Sequence, residues 1–208
     1  MTDDPPPEDR PADTGPPDTQ PPEPKAQSLD LSITAEAGEA YASAVEQALR
    51  AAWCLLGASG SRLTTLSLAI VDDAAMADLH ERYLNIPGTT DVLTFELDHD
   101  ADGRVTEGEI VICHDEAVRQ TSARRTDAGV TAADVVGLEV NPAGHSSPDA
   151  GPELILYAVH GLLHLCGYDD TTPHAYQHMH ETEDELLTRL GVGPVFALGT
   201  DAPAGGEL

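Results

Sequence analysis

Two histidines four residues apart, His160 and His164, are followed by Gly167 and Asp170 in the stretch HGLLHLCGYDD. In an α-helix each residue turns the chain by about 100°, so such a pair lies about 40° apart on one face and can offer two imidazole nitrogens to a single ion. A glycine three residues on can take the left-handed conformation that stops a helix and turns the chain back. Asp170 then falls where the returning chain can offer a third ligand. Two imidazoles and one carboxylate, with a fourth position open to water, are the donor set of a catalytic zinc rather than of a closed structural one. The stretch predicts one Zn²⁺ ion on His160, His164 and Asp170.

A plainer reading makes LILYAVHGLLHL a core helix whose histidines find ordinary hydrogen-bond partners. Two unpaired imidazoles on so apolar a helix would be costly, and that reading leaves the spaced glycine and acid unexplained. The residue after the first histidine narrows the chemistry. HExxH metalloproteases keep a glutamate there to take a proton from the zinc-bound water; here it is Gly161. The helix is zincin-like, but proteolysis lacks its base. His174, His178 and His180 follow the motif. One of them could replace Asp170 as third ligand, although such a run is more often a solvated helix face. Asp169 could orient an imidazole from behind, or cap the next turn.

Three blocks together resemble the YbeY family of endoribonucleases, which act in rRNA maturation. HGLLHLCGYDD with Met179 and Glu183 is similar to that family's HGxLHLxGYDH…MxxxE signature. YLNIPGTTDVLTF, residues 83–95, looks like its TDVLSF segment, and GEIVIC, residues 108–113, like its GDIxI strand. The blocks keep the family's order across about half the chain. The resemblance implies a single-strand-specific, zinc-dependent endoribonuclease in 16S rRNA 3′-end maturation and ribosome quality control. Its partners would be single-stranded RNA and the small ribosomal subunit, and Thr90 and Asp91 would line the substrate groove. Turn chemistry at the start of a strand also explains those two residues. Glu183 reads equally as a surface acid. Two positions depart from the pattern: Asp170 stands where a third histidine is usual, and Leu84 where an arginine is usual. The alternatives are a non-catalytic ribosome-assembly factor with a structural metal, or a metal-dependent hydrolase of another substrate.

The charge is awkward for a nuclease. The chain carries 37 acids against 10 bases, a formal −27, with Lys25 its single lysine. Setting aside residues 1–28 and 192–208 still leaves 28 acids against eight bases. Phosphate binding normally draws on lysine and arginine, so RNA must be held locally, through a metal, or by delivery from a partner. A solubility or salt adaptation explains the acid excess as well. Cys54, Cys113 and Cys166 form no CxxC pair, which argues for a reducing compartment. Cys166 lies about 240° around the helix from His160, so it reads as a packed thiol rather than a ligand. No basic-then-apolar leader and no membrane-length apolar run is visible, and the expected location is the cytoplasm.

The elements that must position these residues follow from hydrophobic period and punctuation. Residues 1–28, rich in proline and acids, read as a disordered tail, and 192–208 as a flexible C-terminal tail. Between them, 29–191 reads as one metal-dependent hydrolase domain. Strands are expected over 29–34, 63–71, 89–97 and 108–113, the last two as a hairpin. Helices are expected over 38–56, from a cap at Asp72 or Asp73 through Met76, Leu79 and Tyr83, and over 115–125, 152–166 and 173–190. Residues 126–150 read as an inserted loop. On the last helix Met179, Leu186, Leu187 and Leu190 form the buried stripe and the acids face water. The sum is an α+β domain: a small mixed four-stranded sheet packed by about five helices.

Overall fold

The structure is a computed structural model that describes residues 28–57, 62–127 and 149–193. Its elements in chain order are β1 (Asp30–Ala35), a 3₁₀ turn (Glu39–Tyr41), α1 (Ala42–Leu56), β2 (Thr65–Val71), α2 (Asp73–Leu84), β3 (Val92–His99), β4 (Val105–Cys113), α3 (His114–Asp127), α4 (Gly151–Leu165) and α5 (Pro173–Arg189). The fold is α+β, with a mixed four-stranded sheet of order β1-β2-β4-β3. β1, β2 and β4 run parallel, and β3 returns antiparallel along β4 as the hairpin partner.

Local chemistry accounts for the boundaries. The Asp72 side chain accepts from the Ala75 amide at 2.9 Å and caps α2, while Asp73 turns instead to Arg119. Asp100 holds the hairpin turn by accepting from the amides of Asp102 and Arg104, both at 2.9 Å. This pairing lets β4 begin at Val105, before the expected Gly108. α3 continues through Asp127, so the first two residues of the expected loop over 126–150 are helical. Most of that loop and of both expected tails lies outside the described residues.

The sheet has a heavy face and a light face. Alternation places Leu66, Leu68, Ile70, Ile110 and Ile112 on one side, which joins α1 and α4 in the main core, with α5 packed on α4. The other side carries Val71, Leu93, Val111 and Cys113, with Met76 of α2 packed on them. α4 runs through the main core. Its Leu154, Leu156, Leu162, Leu163 and Leu165 are buried, each contributing ~1.5–3 kcal/mol relative to exposure.

Two glycines let α4 lie close to β4. A Cβ at Gly161 would stand 2.9 Å from Ile110 Cγ2, and one at Gly108 would stand 2.6 Å from Leu165 Cδ1. Position 161 therefore faces the sheet, and the site where a metallopeptidase would carry its glutamate has no room for a side chain.

Candidate metal centre

The last turn of α4 builds the centre. Gly167 has φ 90°, and its amide bonds the His164 carbonyl at 2.9 Å while the Tyr168 amide reaches the Leu163 carbonyl at 3.0 Å. This is a Schellman ending, and it folds the chain back over the helix terminus. The same turn brings the Tyr168 carbonyl to 3.2 Å from His164 Nδ1. Two residues further on, Asp170 Oδ2 stands 4.0 Å from His164 Nε2.

His160 is anchored from the other side. Its Nδ1 lies 3.2 Å from Glu183 Oε1, and His180 Nδ1 holds the other oxygen of the same carboxylate at 2.9 Å. Glu183 is fully buried. Burial would raise its pKa, but the hydrogen bonds and charges of the two histidines outweigh that and hold it below the ordinary carboxylate value. Burial likewise opposes a charge on His160, and Glu183 overcomes it, so this imidazole sits above its usual pKa.

These partners decide the tautomers. With Nδ1–H of His160 donating to a carboxylate and Nδ1–H of His164 donating to a carbonyl, each ring keeps its lone pair on Nε2. The two Nε2 atoms face each other at 3.1 Å. That is close to the edge of about 3.3 Å expected for a tetrahedron with ~2.0 Å metal–nitrogen bonds. One ligand atom from each of His160, His164 and Asp170 lies within 4.8 Å of the other two, and the Asp170 side chain is 39% exposed. The donor set fits a divalent cation with an open side. It also fits the chemistry of borderline metals such as zinc, which take imidazole and carboxylate together.

The remaining expected residues fall as follows. Asp169 accepts from the Thr171 amide at 3.1 Å and from its hydroxyl at 2.6 Å, closing a local turn rather than orienting an imidazole. Thr172, not Asp169, caps α5. Asp91 accepts from the Thr90 hydroxyl at 3.0 Å and the Val92 amide at 2.9 Å. Both residues line a recess beside His160, and Asp91 also lines the groove that holds both histidines. His174 and His178 are exposed, and His180 is bound to Glu183, ring-stacked 6.1 Å from His160; none takes the third-ligand place.

The expectation that the acids of α5 face water is wrong for Glu183. Its position, four residues after Met179 and three before Leu186, puts it on the apolar stripe, and that offset was the available signal. Leu190, expected on the stripe, caps the helix half-buried.

Arginines gather around the centre although the chain is acidic. Arg124 lines the recess on the His160 side, and Arg62 and Arg104 line a second recess of about 310 Å³ beside His164. Tyr83, Leu84 and Phe95 form the opposite wall of the groove, Tyr83 and Leu84 with more than half their surface exposed. Among the described residues, no helix is long and apolar enough to cross a membrane.

A family model described as endoribonuclease YbeY matches residues 30–138 and 130–191. The chain is 39% identical over 132 residues to the endoribonuclease YbeY of Thermobifida fusca, covering 60% of this chain and 71% of that protein. It is 37% identical over 131 residues to the protein of that name from Mycobacterium ulcerans, covering 59% of this chain and 61% of the relative. The protein from Mycobacterium tuberculosis strain H37Rv shows the same 37% identity, with 62% of its length covered. The chain thus spans a little under two thirds of these mycobacterial relatives. Among solved structures, the solution structure of Thermotoga maritima TM1509 aligns at 18% identity and a TM-score of 0.44, over 85% of this chain and 99% of that one.

Proposed function

We propose a function from one premise: the chain belongs to the YbeY endoribonuclease family. The reading is a cytoplasmic, single-strand-specific endoribonuclease that hydrolyses phosphodiester bonds in rRNA. Its substrate would be the 3′ end of 16S rRNA in the small ribosomal subunit, in maturation and quality control. His160, His164 and Asp170 would hold one Zn²⁺ ion, and α4 would serve as a zincin-like metal helix.

The observation that carries this reading is the pair of Nε2 lone pairs fixed toward each other at 3.1 Å, with Asp170 beside them. When bound, the ion supplies a Lewis acid for a phosphoryl oxygen and lowers the pKa of an attacking water or hydroxyl. The chain's own residues do the positioning. Glu183 and the Tyr168 carbonyl fix the two imidazoles, and Asp170 completes the charge from the open side. Arg62 and Arg104 offer phosphate contacts beside His164, which lets an acidic protein hold RNA locally. Thr90 and Asp91 form the groove wall. The zero-side-chain position at Gly161 leaves peptide hydrolysis without its base.

The test is cleavage of matched single-stranded and duplex RNA by the purified full chain. Chelation should abolish cleavage, Zn²⁺ should restore it, duplex should resist, and His164→Ala should lose at least a hundredfold in rate. Undiminished cleavage by His164→Ala would contradict the reading. A non-catalytic assembly factor would instead bind small subunits as well after loss of the ligands as before.

A further inference from the structure

Across the groove from His160 and His164 stands an aromatic pair. Tyr83, in the last turn of α2, and Phe95, on β3, meet edge to face with ring centroids 4.9 Å apart. Both line the groove of about 500 Å³ that also holds the two imidazoles. That volume lies within the range of about 300–1,000 Å³ that small-molecule sites occupy.

The pair is left open to solvent on the groove rim. Tyr83 is 59% exposed and its neighbour Leu84 54%, while Phe95 beneath is half-buried. A single exposed apolar side chain is ordinary, but a contiguous apolar rim on one groove marks a surface that receives something. Asp91 and Thr94 line the same groove. It therefore offers rings for an aromatic face and polar groups for an edge. A nucleobase carries that combination, and an apolar side chain does not.

The charge balance points the same way. Arg119 is held by Asp73 and Glu116, Arg124 is held by the buried Glu153 at 2.7 Å, and Arg62 lies 3.7 Å from Asp100. Attraction for phosphate is therefore thin in a chain with 37 acids and 10 bases. Stacking on an aromatic ring needs no cation, and it takes any base because each has a π-face. It does need the base to be free. In a duplex both faces of a base are covered by its neighbours, whereas in a single strand a base can be splayed out onto a ring.

We infer that Tyr83 and Phe95 form a stacking platform for one unpaired base of the bound RNA, and that this stacking supplies the preference for single strands. The inference rests on the endoribonuclease reading. The platform accepts purines and pyrimidines alike, and Tyr83 is its exposed contact residue.

The test uses the full Zn²⁺-loaded chain with 12-nucleotide oligoadenylate, oligouridylate and the duplex the two form, the RNA being checked intact on gels. Tyr83→Trp places an indole on the platform, and the wild type, whose single tryptophan is the buried Trp53, is its control. Fluorescence of Tyr83→Trp should be quenched saturably by either single strand and not by the duplex. By fluorescence anisotropy, Tyr83→Leu should bind single strands at least fivefold more weakly, the low end of what one base–aromatic stack contributes, and Tyr83→Phe should match the wild type. Each variant should keep its Zn²⁺ content and a Tm within about 2 °C, as surface changes do. Wild-type affinity in Tyr83→Leu, or quenching by duplex as strong as by single strands, overturns the platform. Quenching by a Leu- and Phe-rich hexapeptide but not by RNA also overturns it, and makes the rim a protein-docking surface. Cleavage separates the two claims. Single strands bound through Tyr83 yet never cleaved would overturn the endoribonuclease reading and leave the platform standing, and undiminished cleavage of single strands by Tyr83→Leu would do the reverse.

Discussion

The two walls of the groove are built to different standards. The α4–α5 wall is sunk in the main core, pressed against β4 through Gly161 and Gly108, and its imidazoles are each tied by a second hydrogen bond. The α2–β3 wall rests on the small cluster of Val71, Met76, Leu93, Val111 and Cys113, and it ends in the exposed Tyr83, Leu84 and Ile86. α2 is linked to α3 by a surface ion pair, Asp73 with Arg119 at 2.6 Å, and by the Asp73 amide donating to Asp115 Oδ2 at 3.1 Å. A metal site needs its ligands held to a fraction of an ångström, whereas a surface that receives a flexible strand gains from give. On the proposed reading, the difference separates a preorganised wall for chemistry from an adaptable wall for substrate.

The strongest way to break that contrast is at its anchor. Glu183→Ala leaves the Nδ1 atoms of His160 and His180 without their buried partner, which costs roughly 3 kcal/mol of folding stability. It should also weaken metal binding by about 10–100-fold, as loss of an imidazole's supporting carboxylate does elsewhere. Thermal melts and metal titration check the two effects. A variant with wild-type Tm and metal affinity would show that the wall is not anchored there.

On the other wall a change should alter substrate binding and leave the metal alone. Leu84 is 54% exposed at the groove edge. Leu84→Arg should tighten single-stranded RNA a few-fold at low salt and steepen the slope of log affinity against log salt by about 0.7, the value for one added contact to a single strand. Metal affinity should stay unchanged; a fall would join the two walls after all.

The smallest effect is expected at the α2–α3 link. The Arg119 hydrogen bonds and charge, helped by the Cys113 thiol and opposed by burial, hold Asp73 below its usual pKa. A carboxylate with a depressed folded pKa stabilises above its unfolded pKa, and that stability is lost as pH falls through the folded value. Asp73→Asn should therefore lower Tm by about 1–3 °C at pH 7, in keeping with a half-exposed pair, and the gap should close as pH falls through the depressed pKa of Asp73. A gap that persists in acid would place the effect in packing instead.

How much of this was legible in the sequence differs between the walls for the same physical reason. His160, His164, Gly167 and the Asp72 cap are local, since helix period and turn chemistry act over a few residues, and the chain shows them directly. The sheet follows from β-branched runs, with its hairpin start displaced because exposed Glu107 pairs with Asp98, and Val105 with His99, where the polarity suggests a turn. Glu183 was misjudged because its burial depends on how α5 lies against α4, a long-range fact that charge alone obscures. The pairing of Glu153 with Arg124 was missed likewise: the acid opens an apolar helix and its partner lies on α3.

The central claim is that His160, His164 and Asp170 share one ion, and metal content tests it most directly. Purified full-length chain, equilibrated with Zn²⁺ and freed of excess, should carry one ion per chain by elemental analysis, and His164→Ala should carry none while keeping its circular dichroism. A variant that retains one ion at undiminished affinity, or a wild type that retains none, would contradict it.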